Sequence, residues 1–167
     1  MKLPVVFSSL LILVLWMSCC ASKTDNQDFQ KEEDAIAADG SANAQVTEVK
    51  VSGMENEYTF SVTISSPDTG CSQYADWWEV LDMDGNLIYR RILAHSHVEE
   101  QPFSRSGGAV RITTETEVYV RAHMNNSGYG TVVQKGSVSN GFETSDLDAE
   151  FAKELETAAP QPNGCAF

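Results

Sequence analysis

Positive charge is scarce in this chain. Eleven lysines and arginines stand against 24 aspartates and glutamates, a formal charge of −13. Such a surface would repel a phosphate backbone rather than neutralise it, so nucleic acid is excluded as a partner. Docking on an anionic lipid surface through charge is disfavoured for the same reason. Long hydrophobic stretches are also wanting: Val5–Trp16 is too short for a comfortable membrane span. Gly-x-Ser-x-Gly does not occur, which removes the serine-hydrolase elbow, and no internal repeat is visible. No recognisable nucleophile or acid–base motif is present, so a hydrolase ranks behind non-catalytic readings. At 167 residues the chain has room for one ordinary domain plus tails.

What the first residues do carry is an export layout. Lys2 supplies a positive start, Val5–Trp16 an apolar middle, and Met17-Ser18-Cys19-Cys20-Ala21-Ser22 a small, sulphur-bearing end. This segment resembles a bacterial lipoprotein signal, in which a small residue directly precedes the lipidated cysteine. Ser18-Cys19 meets that pattern, while Trp16 stands where the family usually has leucine. The resemblance implies a signal segment over 1–21 and lipidation of Cys19. Cleavage after Ala21 or Ser22 and an uncleaved anchor are the other readings. The expected location is the cell envelope, periplasmic or at the surface, with the membrane reached through the lipid alone.

Residues 22–44 are acidic and low in large apolar side chains, the composition of a flexible tether. From Gln45 the period changes to two. Tyr58, Phe60, Val62 and Ile64 alternate with Thr59, Ser61, Thr63 and Ser65, a half-buried strand. Tyr74–Val98 reads as two strands about an Asp84-Gly85 turn, the densest aromatic and aliphatic stretch in the chain. Asp82-x-Asp84-Gly85-Asn86 lacks the distal glutamate of a calcium loop, since Leu93 stands there. Glu99–Gly108 reads as irregular. Strands are expected at Val110–Thr113, Glu117–Met124 and Thr131–Val138.

About seven strands with turn signals between them predict an all-β fold, a single antiparallel sandwich over 45–142. The pattern resembles an immunoglobulin or fibronectin type III domain. That resemblance implies Trp77 or Trp78 as the buried aromatic of the third strand and Tyr119 near the corner tyrosine of the sixth. Over 143–167, Ser145-x-x-Asp148 and the four-residue spacing of Leu147, Phe151 and Leu155 predict a short C-terminal α-helix. Cys71 and Cys165 remain once the first segment is set aside, and in an exported protein two cysteines predict one disulfide.

Three groups of residues could carry function. His95 and His97, one strand repeat apart at about 7 Å, with His123 and Met124, predict a copper or zinc site. His123 and Met124 point to opposite faces of their strand, so one of them at most would join. Arg90, Arg91 and Arg105 with Trp77, Trp78 and Tyr129 predict a patch that grips a carboxylate or sulphated sugar. The alternative for these arginines together with Arg111 and Arg121, and the preferred reading, is cross-strand ion pairing with Glu79, Asp76 and Glu117. The leading expectation is an envelope module that binds a protein or glycan without catalysis, with transition-metal binding as its rival.

Overall fold

The computed structural model describes residues 42–166. The expected signal segment, the lipidation of Cys19 and most of the tether lie outside the described residues. Nine strands form two antiparallel sheets: β1 Gln45–Ser52, β2 Tyr58–Ser65, β3 Ala75–Leu81, β4 Leu87–Ile92, β5 Phe103–Val110, β6 Val118–Met124, β7 Gly128–Tyr129, β8 Val132–Ser137 and β9 Gly141–Asp146. One sheet has the order β1-β2-β5; the other has β4-β3-β6-β8-β9, with β7 also paired to β6. First, second and fifth strands against third, sixth and eighth is the immunoglobulin-type connectivity, with the fourth strand joined to the sheet of the third.

The alternation in β2 sets one face of the sandwich: Tyr58, Phe60, Val62 and Ile64 are buried while Thr59 is exposed and Ser61, Thr63 and Ser65 are half-buried. Across from them, Trp78, Val80, Val118, Val120, Ala122 and Met124 complete one apolar core shared by both sheets. Trp78, not Trp77, is the core aromatic of the third strand. Tyr119 packs edge-on against Phe151 outside that core, so it is no corner tyrosine.

Three elements differ from the sequence expectation, the first being the strand expected at Val110–Thr113: Val110 is instead the last residue of β5, and 111–113 lie outside any strand. Glu99–Gly108 is not irregular throughout, because β5 begins at Phe103 and runs through Gly107 and Gly108. Both glycines are strand residues that leave room for neighbours. A Cβ on Gly107 would lie 2.6 Å from the Tyr89 hydroxyl, and one on Gly108 would lie 2.7 Å from the Tyr58 carbonyl.

The C-terminal α-helix is the larger correction. Gly141–Asp146 is a strand paired along its length with β8, and among the described residues a single 3-10 helix, Lys153–Thr157, follows it. Phe142 in this strand lies edge-on to Phe60 at 5.7 Å. Pairing with β8 and that anchor outweigh a local sequence with weak strand preference. The domain therefore extends past 142, and the segment after Asp146 crosses the outer face of the larger sheet without becoming an α-helix.

The turn of the central hairpin is a loop from Asp82 to Asn86. Asp82 accepts the Asp84 and Asn86 amides at 2.9 and 2.8 Å, and the Asn86 side chain at 2.8 Å. The Asn86 contacts hold the Asp82 carboxyl below its ordinary pKa. Gly85 takes φ +88°, and a Cβ there would stand 3.2 Å from the Phe151 ring, so the loop also seats the C-terminal segment.

Candidate functional site

β3 is buried along its whole length, on both faces. One face meets the other sheet. The other is covered by the segment that follows β9, and there the strand presents chemistry rather than plain apolar packing. Glu79 stands opposite Arg90 of β4 and Arg121 of β6 in the strand register. Its carboxylate accepts the Arg90 Nε at 2.7 Å and the Arg121 Nε at 2.8 Å, and its side chain is fully buried.

The remaining guanidinium protons go to the covering segment. Arg90 donates to the carbonyls of Leu155, Ala158 and Pro160 at 2.7, 2.7 and 3.1 Å. Arg121 donates to the carbonyls of Phe151 and Ala152 at 2.5 and 3.1 Å. Arg121 also lies 3.4 Å over the Tyr129 ring, and Arg90 lies 4.5 Å over Trp77. Burial, with the neighbouring Glu79 carboxylate adding to it, pushes the Tyr129 hydroxyl far above its ordinary pKa. The cover closes covalently: Cys71, in the loop between β2 and β3, is bonded to Cys165 with Cα atoms 5.5 Å apart.

Beside this triad lies a second pair. His123 stands opposite Trp77, and the two rings stack at 3.6 Å with 7° between their planes. The β3–β6 register shifts between Ala75 and Trp77, a bulge that lets consecutive residues Asp76 and Trp77 both meet the same imidazole. Asp76 Oδ1 is 2.7 Å from His123 Nδ1. A carboxylate only accepts, so Nδ1 carries a proton and donates it to Asp76. Nε2 faces Glu156 of the 3-10 helix at 3.8 Å, beyond hydrogen-bonding reach.

These groups line a cleft of about 640 Å³ between sheet and cover. Asp76, Trp77, His123 and Tyr129 form the sheet side; Glu150, Lys153, Glu156 and Gln161 form the other. Lys153 is paired with Glu150 at 2.6 Å, and that pairing holds its ammonium pKa above the ordinary value.

The four expected metal ligands do not share a site. His123 and Met124 both border the cleft, but Met124 is packed into the apolar core and His123 is not. His95 and His97 lie in the loop after β4, with ring centres 4.6 Å apart. His97 is buried, stacks on Phe103 at 3.8 Å, and has neither ring nitrogen hydrogen-bonded. Its amide donates to Asp68, a buried carboxylate that also accepts Ser66 Oγ and the Ala75 amide.

Burial, with the Arg105 and His95 charges behind it, lowers the His97 pKa against the opposing pull of Asp68 and Glu100. The unfolded chain, near the ordinary value of about 6.5, therefore binds this proton first as pH falls. Stability is present above that value and is lost from about pH 6.5 down through the lower folded pKa. Urea midpoints at pH 8 and pH 5 are expected to differ more for the native chain than for His97→Phe; equal differences would refute it.

The six residues of the expected anion patch are likewise dispersed. Arg90, Trp77 and Tyr129 lie beneath the cover, and Trp78 is in the core. Arg91 is exposed and donates to the Ser106 carbonyl at 3.2 Å. Arg105 grips Glu100 at 2.7 Å. For Arg90 and Arg121 the ion-pair alternative describes the arrangement, with Glu79 serving both; Asp76 belongs instead to His123. Glu156 carried no sequence signal, because its place opposite His123 depends on the path of the cover. A signal for the covered face does exist: bulky Trp77 and Trp78 are adjacent in one strand, so both faces must be packed.

Among known proteins, the chain is similar to one from Halomicrobium mukohataei named "Putative lipoprotein". The two are 42% identical over 71 residues, 42% of this chain and 35% of that protein. The match thus takes in about a third of the relative's length. No family model matches the chain. No solved structure matches it.

Proposed function

We propose that this protein is an exported, lipid-anchored module of the cell envelope that binds a small polar ligand in the cleft between its larger sheet and its C-terminal cover. Three supports for export and anchoring agree: the layout of residues 1–21, the similarity to a protein named as a lipoprotein, and a disulfide suited to an oxidising compartment. The observation that carries binding is the cleft itself. Its floor is a rigid strand pair, and its wall is fixed by a disulfide and two buried arginines. Polar groups thus converge on a preformed concavity, as ligand sites require.

Anchoring is tested by mass spectrometry of the mature N-terminus and by membrane fractionation. Acyl mass on Cys19, and release of Cys19→Ser from the membrane fraction, are expected; an unmodified residue other than Cys19 at the N-terminus sinks this half. Binding is tested by a thermal-shift screen of glycan fragments and small polar solutes. Hits are expected to vanish in Thr157→Trp, which fills the cleft, and hits that all persist there would place the ligand elsewhere.

A further inference from the structure

The residues between β6 and β7 read Asn125-Asn126-Ser127. This is the one place in the chain where an asparagine is followed two residues later by serine or threonine. Asn-x-Ser is the acceptor pattern for sugar transfer to an asparagine side chain, and it carries weight in an exported chain, on a surface loop. The structure supplies the surface loop: all three residues are exposed, and all three lie in a turn.

Exposure is necessary, but the fold must also have an atom to spare. The Asn125 side chain is held at both ends of its amide. Oδ1 accepts the Tyr74 amide at 3.0 Å, and Nδ2 donates to the Cys71 carbonyl at 3.0 Å. A primary amide nitrogen carries two protons, so the fold uses one of them and leaves the other. A sugar takes the place of a single proton. The modified side chain therefore retains the donor and the acceptor that these two bonds require.

We propose that Asn125 is an N-glycosylation site, modified on Nδ2 as the chain is exported. This rests on the reading of residues 1–21 as an export segment. In the transfer, Nδ2 bonds to the anomeric carbon of a sugar whose donor is a lipid-linked glycosyl phosphate. The bond from that carbon to the phosphate oxygen breaks, and the phosphate leaves with the electron pair. One Nδ2 proton passes to a base of the transferase, and nothing is oxidised or reduced. Asn125, Asn126 and Ser127 also border the cleft, so the glycan stands at its rim. The attachment atom lies 3.0 Å from the Cys71 carbonyl, so the first sugar flanks the bridge that closes the cover.

The test is mass spectrometry of the full chain, purified from the cells that naturally make it, as native protein and as three variants. The native tryptic peptide Ala122–Lys135 is expected to carry the mass of whole sugar residues, mapped to Asn125 by fragmentation. That mass is expected to be lost in Asn125→Gln and in Ser127→Ala, and to persist in Ser127→Thr, which keeps a hydroxyl. Asn125→Gln also disturbs the bonds to Tyr74 and Cys71. Ser127→Ala gives up one hydrogen bond, to the Ala42 carbonyl at 3.3 Å, and is therefore the deciding variant. Sugar that persists in Ser127→Ala, or that maps to a hydroxyl, overturns the proposal. An unmodified peptide from a chain whose N-terminus shows it was cleaved and exported also overturns it, and leaves the envelope reading standing. An unmodified chain with residues 1–21 intact overturns both.

Discussion

Serine at Cys71 or Cys165 is expected to destabilise the domain by about 4 to 5 kcal/mol, read as a lower urea midpoint with a steeper slope, since the unfolded chain expands without its cross-link. The bridge joins residues 94 positions apart, so it closes a loop that takes in strands β3 to β9. In the chain-entropy account, a loop of that length removes much of the freedom of the unfolded chain. The native structure should change locally. Residues of the 3-10 helix are nowhere fully buried, so apolar packing alone does not secure the cover. Once the bond is gone, the cover is held by β9 at one end and by guanidinium-to-carbonyl hydrogen bonds along its length. Hydrogen exchange should therefore rise from Gln161 to Ala166 first, while the amides of β3 and β6 stay protected until global unfolding. A loss of stability below about 1 kcal/mol would show that the unfolded chain is already compact, and that the bridge only positions the tail.

The sandwich was legible because its signals are local. Period-two alternation in β2 and an Asp-Gly loop between two aromatic-rich strands announce half-buried antiparallel sheets wherever they occur. The disulfide was legible from compartment and count. The elements that went astray depend on partners distant in sequence. Gly107 and Gly108 read as breakers until Tyr89 and the Tyr58 backbone are seen pressing on them. Gly141–Asp146 carries a helix-start pattern, yet β8 offers a ladder that a nascent helix cannot match.

The site was half legible for a related reason. Met124 is packed in the core, whereas its neighbour His123 is not part of it. Nothing in the alternation could show that a bulge at Asp76 breaks the rule and turns two consecutive residues towards one imidazole. The histidines at 95 and 97 drew attention by proximity in sequence, whereas His123 met its partners, Asp76 and Glu156, across 47 residues in one direction and through the cover in the other.

Replacing Glu79 by glutamine is expected to be the most damaging single change on the covered face, at about 3 to 5 kcal/mol. The carboxylate is fully buried and accepts from two guanidiniums that are themselves buried. Without it, two positive charges face each other across β3 with only backbone carbonyls and the Trp77 and Tyr129 rings for company, and each retains a desolvation cost that Glu79 had offset. The converse change separates charge balance from fold. Arg90→Met, Glu79→Leu and Arg121→Met together remove all three charges, and replacing a buried charged triad by apolar residues of similar size is often neutral or stabilising. The triple variant should therefore melt well above Glu79→Gln. It also strips the cover of the five carbonyl contacts made by Arg90 and Arg121. In the triple variant, exchange should thus rise in Phe151–Pro160 although the sandwich is intact. Fast exchange there combined with a near-native midpoint would assign the arginines to holding the cover. If the cover stays protected, its seat is the disulfide and the contact of Phe151 with Tyr119 and Gly85, and the charged triad serves the sheet alone.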